Sequence, residues 1–231
     1  MSSRAPLSRR ITAEFLGTFV FVLVGAGSAV GAQALGGQAL SSGILIAAFA
    51  NGLGLAMAVS ATMGVSGGVL NPAVAVGLVV GRKLELNALV PYVVAELAGA
   101  TAAGLLLVLS FPSSLGSAAH WGAPTLSGQV AVVQGVAIEA LLTFVLVFAV
   151  YGTAVDERAP KIGGLGIGLA VLADVLVGGA LTGAAMNPAR AFGPMIAGSF
   201  LPYYWFVYLV GPVLGSVAAA LAYRFGIERT P

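Results

Sequence analysis

Cysteine is absent from the sequence, and histidine occurs once, at His120. The lack of cysteine excludes a disulfide framework, a thiolate metal site and a thiol nucleophile, and a single histidine cannot form a multi-histidine metal site. Charged residues make up 8% of the chain, compared with about 25% in a soluble domain. Because the sequence offers no nucleophile–base pair and no metal cluster, we expect neither enzyme activity nor a cofactor.

Apolar residues dominate what remains, since 59% of the 231 residues are hydrophobic. A membrane-spanning helix needs about 20 mostly apolar residues. Six stretches are long enough, at about 11–31, 42–62, 88–110, 131–152, 162–179 and 203–224. Two further stretches, 72–80 and 188–198, can cross only about half of the hydrocarbon core. The pattern predicts an all-α membrane protein with six transmembrane helices and two membrane-dipping half-helices.

The basic residues fall almost entirely on one side of these spans. Nine of the ten lie in the N-terminal tail, the 81–87 loop, the 153–161 loop and the C-terminal tail: Arg4, Arg9, Arg10, Arg82, Lys83, Arg158, Lys161, Arg224 and Arg229. The opposite loops, 32–41 and 111–130, contain no lysine or arginine. The positive-inside rule therefore predicts cytoplasmic N- and C-termini. We expect a multi-pass protein of the plasma or inner membrane. Because the basic residues follow the topology, we expect no nucleic-acid partner. The tenth basic residue, Arg190, lies in the second half-length stretch.

Each half-length stretch opens on the same tripeptide, Asn71-Pro72-Ala73 in the first and Asn187-Pro188-Ala189 in the second. Asparagine is a strong N-cap, and proline suits the first helical position because no N–H is needed there. Each helix N-terminus carries roughly half a positive charge, and two such ends at one constriction oppose cations and protons. We expect Asn71 and Asn187 both to cap the half-helices and to line a passage.

The two halves of the chain resemble each other. Glu, Thr, Phe and Val recur at the same spacing in 13–20 and 138–145, the tripeptides recur 116 residues apart, and Ala98-Gly99 has a weaker echo in Val210-Gly211. Each repeat, about 8–110 and about 131–226, holds three spans and one half-helix, so the second repeat is inverted relative to the first. Inverted repeats with broken helices place the functional site at the midplane of the membrane. We therefore expect a single membrane channel domain over residues 1–231.

These features together resemble the aquaporin, or major intrinsic protein, family over essentially the whole chain. The paired tripeptides, Glu14 and Glu139 in the first and fourth spans, and Arg190 after the second tripeptide carry the resemblance. The stretch 173–186 looks most like the tonoplast-intrinsic branch of plants, and Ala191 stands where glycerol facilitators tend to have aspartate. The family implies an aquaporin-like bundle in the lipid bilayer, a homotetramer with one pore per subunit, and water and small neutral solutes as its partners.

The resemblance also assigns a selectivity filter to Asn51, Val175, Ala184 and Arg190. Strict water channels of the family commonly have Phe at the first of these positions and His at the second, so the smaller residues here predict a wider and only partly polar mouth. The family arginine narrows the pore and donates to passing solutes, and a charge within the membrane is functional by default. The alternative is that other side chains or loop backbone refill the space.

Three acidic residues and three glycine pairs complete the candidate set. A bare carboxylate in hydrocarbon is costly, so we expect Glu14 and Glu139 to accept hydrogen bonds from the amides of loops 64–70 and 180–186. Asp174 precedes Val175 and points about 100° away from it on a helix; it could brace Arg190, accept from a neighbouring span or face a subunit contact. The Gly-x3-Gly spacing predicts close helix approach, at Gly27/Gly31, Gly164/Gly168 and Gly211/Gly215.

The function that these features indicate is a passive channel for water and for small neutral solutes such as ammonia, urea or glycerol, with protons and ions excluded. A glycerol-facilitator-like channel with low water flux is one alternative. A secondary transporter is another, because transporters also use inverted repeats and broken helices. Coupled transport usually needs ionisable groups at the midplane, where this sequence supplies asparagine and backbone. A structural membrane protein that works through adhesion would form a non-conducting tetramer.

Overall fold

The structure is a computed structural model that describes residues 5–35, 40–160, 162–199 and 203–228. Arg4, Lys161 and Arg229, which were assigned to the cytoplasmic side, and part of the 32–41 loop lie outside these ranges. The helices in chain order are α1 (Leu7–Ala34), α2 (Leu40–Thr62), α3 (Pro72–Val80), α4 (Leu86–Ser110), α5 (Ser113–Ala118), α6 (Val132–Val150), α7 (Leu165–Thr182), α8 (Pro188–Ala197) and α9 (Gly211–Gly226).

Six of the described helices are long and apolar enough to cross a membrane: α1, α2, α4, α6, α7 and α9. A π-helical turn over Tyr151–Val155 extends α6, and a π-helical segment over Tyr204–Val210 leads into α9. The half-helices α3 and α8 occupy the two half-length stretches. The predicted all-α class with six spans and two half-helices is therefore confirmed.

The observed helix ends differ from the predicted ends for local reasons. The fifth span, α7, begins three residues late, at Leu165, because the chain first turns at Gly163 with φ +60°. It continues to Thr182, where Gly183 at φ +81° forms a left-handed C-cap. The first span begins earlier than predicted, because Arg10 is buried inside α1 and its Nε donates to the Tyr92 hydroxyl at 2.7 Å.

Close packing of equivalent helix pairs reveals the register of the repeat. A Cβ atom added to Gly99 on α4 would lie 2.3 Å from the carbonyl oxygen of Phe15 on α1, and one added to Gly215 on α9 would lie 2.0 Å from that of Ala140 on α6. Phe15 and Ala140 each follow the repeated glutamate. The pairing of Ala98-Gly99 with Val210-Gly211 was therefore wrong: Gly99 corresponds to Gly215, at the same 116-residue offset as the tripeptides.

The glycine pairs behave differently from one another. A Cβ atom on Gly164 or Gly168 would lie 2.4 or 2.3 Å from a carbonyl oxygen of α2, so α7 and α2 approach backbone to backbone there. Gly211 and Gly215 make the same kind of approach to α6. The prediction was wrong for Gly27/Gly31 as far as the described residues go, because none of them lies within 4 Å of a Cβ on Gly31 and only the side chain of Leu107 meets one on Gly27. Spacing alone does not report which helix face is covered.

Alanine at Gly168 should destabilise the fold, whereas alanine at Gly31 should not. The added methyl group at Gly168 meets the Gly52 carbonyl oxygen at 2.3 Å and can only force α2 and α7 apart, while at Gly31 no described atom lies within 4 Å. In a helix interior alanine is otherwise favoured over glycine by about 1 kcal/mol. Thermal unfolding of the purified variants in detergent measures the difference, and equal melting temperatures for the two would contradict the packing argument.

The described basic residues of the loops meet at one end of the bundle. Lys83 forms an ion pair with Glu228 beyond α9, and a guanidinium N–H of Arg158 donates to the Ile227 carbonyl oxygen at 3.3 Å. Arg158 also pairs with Asp156, and this neighbouring guanidinium holds the pKa of the Asp156 carboxyl well below its usual range. The 81–87 loop, the 153–161 loop and the end of α9 thus share one side of the protein.

Candidate functional site

The two tripeptides form matching helix caps. The side-chain oxygen of Asn71 accepts hydrogen bonds from the backbone N–H groups of Ala73 and Val74, at 2.9 and 3.4 Å. The side-chain oxygen of Asn187 accepts from Ala189 and Arg190, at 2.9 and 3.1 Å. Pro72 and Pro188 occupy the first helical positions. Each asparagine is therefore held by its own half-helix, with its amide nitrogen directed away from the cap.

The caps are joined by a reciprocal pair of hydrogen bonds. The amide nitrogen of Asn71 donates to the Met186 carbonyl oxygen at 3.0 Å, and that of Asn187 donates to the Leu70 carbonyl oxygen at 2.7 Å. Leu70 and Met186 are the residues that precede the two asparagines. The N-termini of α3 and α8 therefore meet. One N–H of each amide is used in this way, and no described residue accepts from the second.

Buried glutamates hold the two loops that lead into the half-helices. Glu14 accepts from the backbone N–H groups of Val69 and Leu70, at 3.1 and 2.6 Å. Glu139 accepts from the N–H groups of Ala185 and Met186 at 2.9 and 2.7 Å, and from the Thr182 hydroxyl at 2.7 Å. These are the hydrogen bonds expected from the sequence.

Leu70 and Met186 adopt the left-handed backbone conformation, with φ of 50° and 53°. For a residue with a side chain this conformation costs roughly 1–2 kcal/mol. At both positions the N–H donates to a buried glutamate while the carbonyl oxygen accepts from the asparagine of the other half-helix. The backbone strain is thus offset by two hydrogen bonds to each residue, and it turns both loops toward the same point.

A cavity passes between the half-helix tips toward the end that carries the basic loops. Asn71 and Asn187 line it together with the loop glycines Gly67 and Gly68. The rest of the wall is largely apolar and includes Phe21, Leu55, Val59, Val74, Leu78, Leu146, Val150, Ile167 and Val171. A polar strip facing an apolar wall gives a permeating molecule few hydrogen-bond partners at a time, which favours passage over tight binding.

A second cavity, the outer vestibule, opens on the other side of the tips. Arg190, Val175, Gly122 and Thr125 are among its lining residues, and Asn51 lines both this vestibule and the inner cavity. Ala184 lines the inner cavity. The four residues assigned to the filter therefore lie around the junction of the two cavities. Their role in selection stays a prediction.

Arg190 is held at this junction by the long outer loop. It is 6% exposed, and one terminal guanidinium nitrogen donates to the Gly122 carbonyl oxygen at 2.8 Å. Among the described residues it has no carboxylate within 4.0 Å, so its charge is not cancelled by a direct ion pair. Sequence reasoning missed Gly122. Only the buried Trp121 beside it, in a loop otherwise poor in large apolar residues, could have pointed to that segment.

Asp174 lies in the interior of the protein, on α7. It is 3% exposed, which removes the alternative that it faces a subunit contact. It forms no ion pair with Arg190, and its Oδ2 atom has no hydrogen-bond partner among the described residues. The predicted brace to Arg190 is therefore absent from the described part of the chain.

Comparison with known proteins gives consistent similarities. The model of the family described as Major intrinsic protein matches residues 1–223. The chain is 43% identical over 227 residues to Aquaporin TIP4-4 of Zea mays, covering 96% of this chain and 88% of that protein. It is 41% identical over 229 residues to Probable aquaporin TIP3-2 of Arabidopsis thaliana, covering 95% and 84%. The fold is similar to the X-ray structure of the aquaglyceroporin from Plasmodium falciparum, with a TM-score of 0.80, 25% identity and coverage of 96% and 97%.

Proposed function

We propose, from the premise that this chain belongs to the major intrinsic protein family, that its pore passes small neutral solutes in addition to water. The family membership predicted from the sequence is thereby confirmed. The predicted class of function is confirmed as well, since the chain is a multi-pass membrane water channel of the aquaporin type and not an enzyme. The proposal concerns which further molecules pass and which residues select them.

One observation carries the assignment of the pore. Asn71 and Asn187 line a single cavity between two opposed helix N-termini, and Asn51 connects that cavity to the outer vestibule. A molecule that follows this route meets the two asparagine amides side by side. We assign the narrowest selection step to Asn51, Val175, Ala184 and Arg190, and the reorientation of water to Asn71 and Asn187.

Exclusion of ions and protons follows from charge. Each half-helix places roughly half a positive charge at its N-terminus, and Arg190 adds a full charge on the vestibule side. Positive groups at a low-dielectric constriction repel cations, and donors that hold a water by its oxygen interrupt a proton-conducting chain. A neutral solute is not subject to the first effect, so its passage is decided by size and by hydrogen bonding at the filter.

Phenylalanine at Asn51 should close the channel to the larger solutes. The ring would fill the junction of the two cavities, so we expect glycerol and urea permeability to fall about tenfold or more, equivalent to at least ~1.4 kcal/mol of barrier, with water flux retained. Stopped-flow light scattering on proteoliposomes, with a pH-sensitive dye for ammonia, measures all four permeants. Leu109→Phe adds the same ring to an outward position of α4, away from both cavities and 83% exposed, and should change nothing.

The same measurements decide between the alternatives. A parent channel that passes water but none of ammonia, urea and glycerol would overturn the wide-filter proposal. High glycerol flux with little water flux would identify a glycerol-facilitator-like channel. Flux that saturates at low solute concentration or follows an ion gradient would identify a secondary transporter.

We further propose a homotetramer of single-domain subunits, each with a pore of its own and with repeats at about 8–110 and 131–226. The outward face of α2 supports assembly, because its large apolar side chains, Phe49, Leu53 and Met57, are more than half exposed in the single chain. Cross-linking in native membrane tests the tetramer.

We place the termini on the cytoplasmic side of a plasma or inner membrane. The TIP-type relatives make the vacuolar membrane the rival location, and imaging of a tagged chain distinguishes them.

A further inference from the structure

A second buried acid lies beside the carboxylate that holds the first pore loop. Glu96, on α4, is fully buried, as is Glu14 on α1. The carboxyl group of Glu96 lies next to that of Glu14 and next to the backbone N–H of Asn71. Neither carboxyl oxygen of Glu96 accepts a hydrogen bond from a described residue. Such an orphaned group in the interior calls for a physical explanation.

The other polar groups around Glu96 are already engaged. The Tyr92 hydroxyl, one helical turn earlier on α4, donates to the Ser66 carbonyl oxygen at 2.8 Å and accepts from Arg10 at 2.7 Å. Arg10 in turn lies 3.6 Å from the exposed carboxylate of Glu85. Neither the tyrosine proton nor the arginine charge is therefore available to Glu96. Its own neighbours are the carboxyl group of Glu14 and the N–H of Asn71.

The second repeat shows that the scaffold does not need a carboxyl group at this place. With the 116-residue offset established by the glycine contacts, Tyr92 corresponds to Tyr208, whose hydroxyl donates to the Thr182 carbonyl oxygen at 2.8 Å. Glu96 then corresponds to Pro212. Glu139 receives three donors, two backbone N–H groups and the Thr182 hydroxyl. Glu14 receives two backbone N–H groups and lies beside the hydroxyl of Ser66, the counterpart of Thr182, so that Glu96 is what the first repeat has in addition.

We propose that Glu96 is protonated in the folded channel and donates its carboxyl O–H to Glu14. Glu96 is then a positioning residue that holds the glutamate under the first pore loop. The proposal rests on the proposed function only in treating this loop as part of the pore.

Acid–base chemistry supports this protonation state. An ionised carboxylate has acceptors only, so two adjacent carboxylates repel and cannot hydrogen-bond to each other. Two carboxyl groups that share a buried site do not both ionise. One proton between them converts the contact into a charge-assisted O–H···O⁻ bond. The proton belongs on Glu96 because Glu14 is the acid that accepts two backbone N–H groups, and those bonds favour its ionised form.

Infrared spectroscopy of the full channel in proteoliposomes tests the proton directly. We expect a carbonyl-stretch band of a protonated carboxyl group at neutral pH, which shifts when glutamate carries carboxyl ¹³C and which is lost in Glu96→Gln. Glutamate labelling separates this band from any band of Asp174. Glu85→Gln, the same change at the exposed start of the same helix, should leave the band in place. A band that persists unchanged in Glu96→Gln would overturn the proposal.

The parent channel decides the question even if the variant does not fold. The proposal would also be overturned if the spectrum of the parent contained no label-sensitive band of a protonated carboxyl group. In a folded Glu96→Gln, the neutral amide still donates to Glu14, so we expect water permeability within about twofold of the parent. Glu96→Asp shortens the reach and should lower it. A parent that conducts no water would refute the proposed function, whereas the infrared result would still decide the state of Glu96.

Discussion

Replacing Arg190 with valine, the residue type of its first-repeat counterpart Val74, should convert the channel into one that discriminates poorly between solutes. The change removes a buried guanidinium from the junction of the two cavities, where no described carboxylate lies within 4.0 Å of it. We expect urea and glycerol permeability to rise about tenfold, since removal of ~1.4 kcal/mol of barrier is enough for that, and we expect measurable proton leak. Stopped-flow light scattering gives the solute fluxes, and a pH-sensitive dye inside the vesicles gives the leak.

Two further variants separate charge from shape. Arg190→Lys keeps the charge but loses the planar fork, so ion exclusion should be retained while solute discrimination falls. Arg158→Val removes a cation from the opposite end of the protein, where the side chain is about half exposed, and should leave the solute fluxes of the pore unchanged. Unaltered urea and glycerol permeability in Arg190→Val would show that selection occurs elsewhere along the passage.

The parts of this site that sequence could predict are those encoded locally. The asparagine caps need only an Asn-Pro pair at the start of an apolar stretch. The two glutamates were predicted because a carboxylate in a span needs donors, and the nearest polar backbone was in the two loops. Six spans and two half-helices follow from length and hydropathy alone. Each of these inferences concerns a residue and its immediate neighbours along the chain.

The parts that sequence missed depend on contacts between distant segments. Nothing in the residue types of Leu70 and Met186 indicates a positive φ, which is imposed by hydrogen bonds to a glutamate and to the opposite asparagine. The contact of Gly122 with Arg190 joins residues 68 apart. The repeat register was misread because Ala-Gly and Val-Gly pairs are common in apolar helices, whereas only packing shows which glycine meets the residue after each glutamate.

Replacing Glu139 with leucine should have the largest effect on folding. The carboxylate is fully buried and accepts from the Thr182 hydroxyl and from the backbone N–H groups of Ala185 and Met186. Each buried donor left without a partner costs about 1–3 kcal/mol. Three such losses approach the net stability of a typical domain, about 5–15 kcal/mol. We therefore expect little or no folded Glu139→Leu protein, measured as the monodisperse fraction after extraction in detergent, and normal yield from Glu85→Leu, whose side chain is 61% exposed.

A graded series tests whether hydrogen bonding is the cause. Glu139→Gln keeps one acceptor oxygen but turns an NH2 group toward a donor, so its melting temperature should fall between those of the parent and the leucine variant. Thr182→Val removes the hydroxyl, which also accepts from the Ala184 N–H at 3.2 Å, so its loss should be smaller than that of Glu139→Gln. A leucine variant as stable as the parent would mean that water satisfies these amides. The second pore loop would then owe its shape to the Asn71 contact with Met186 and not to the glutamate beneath it.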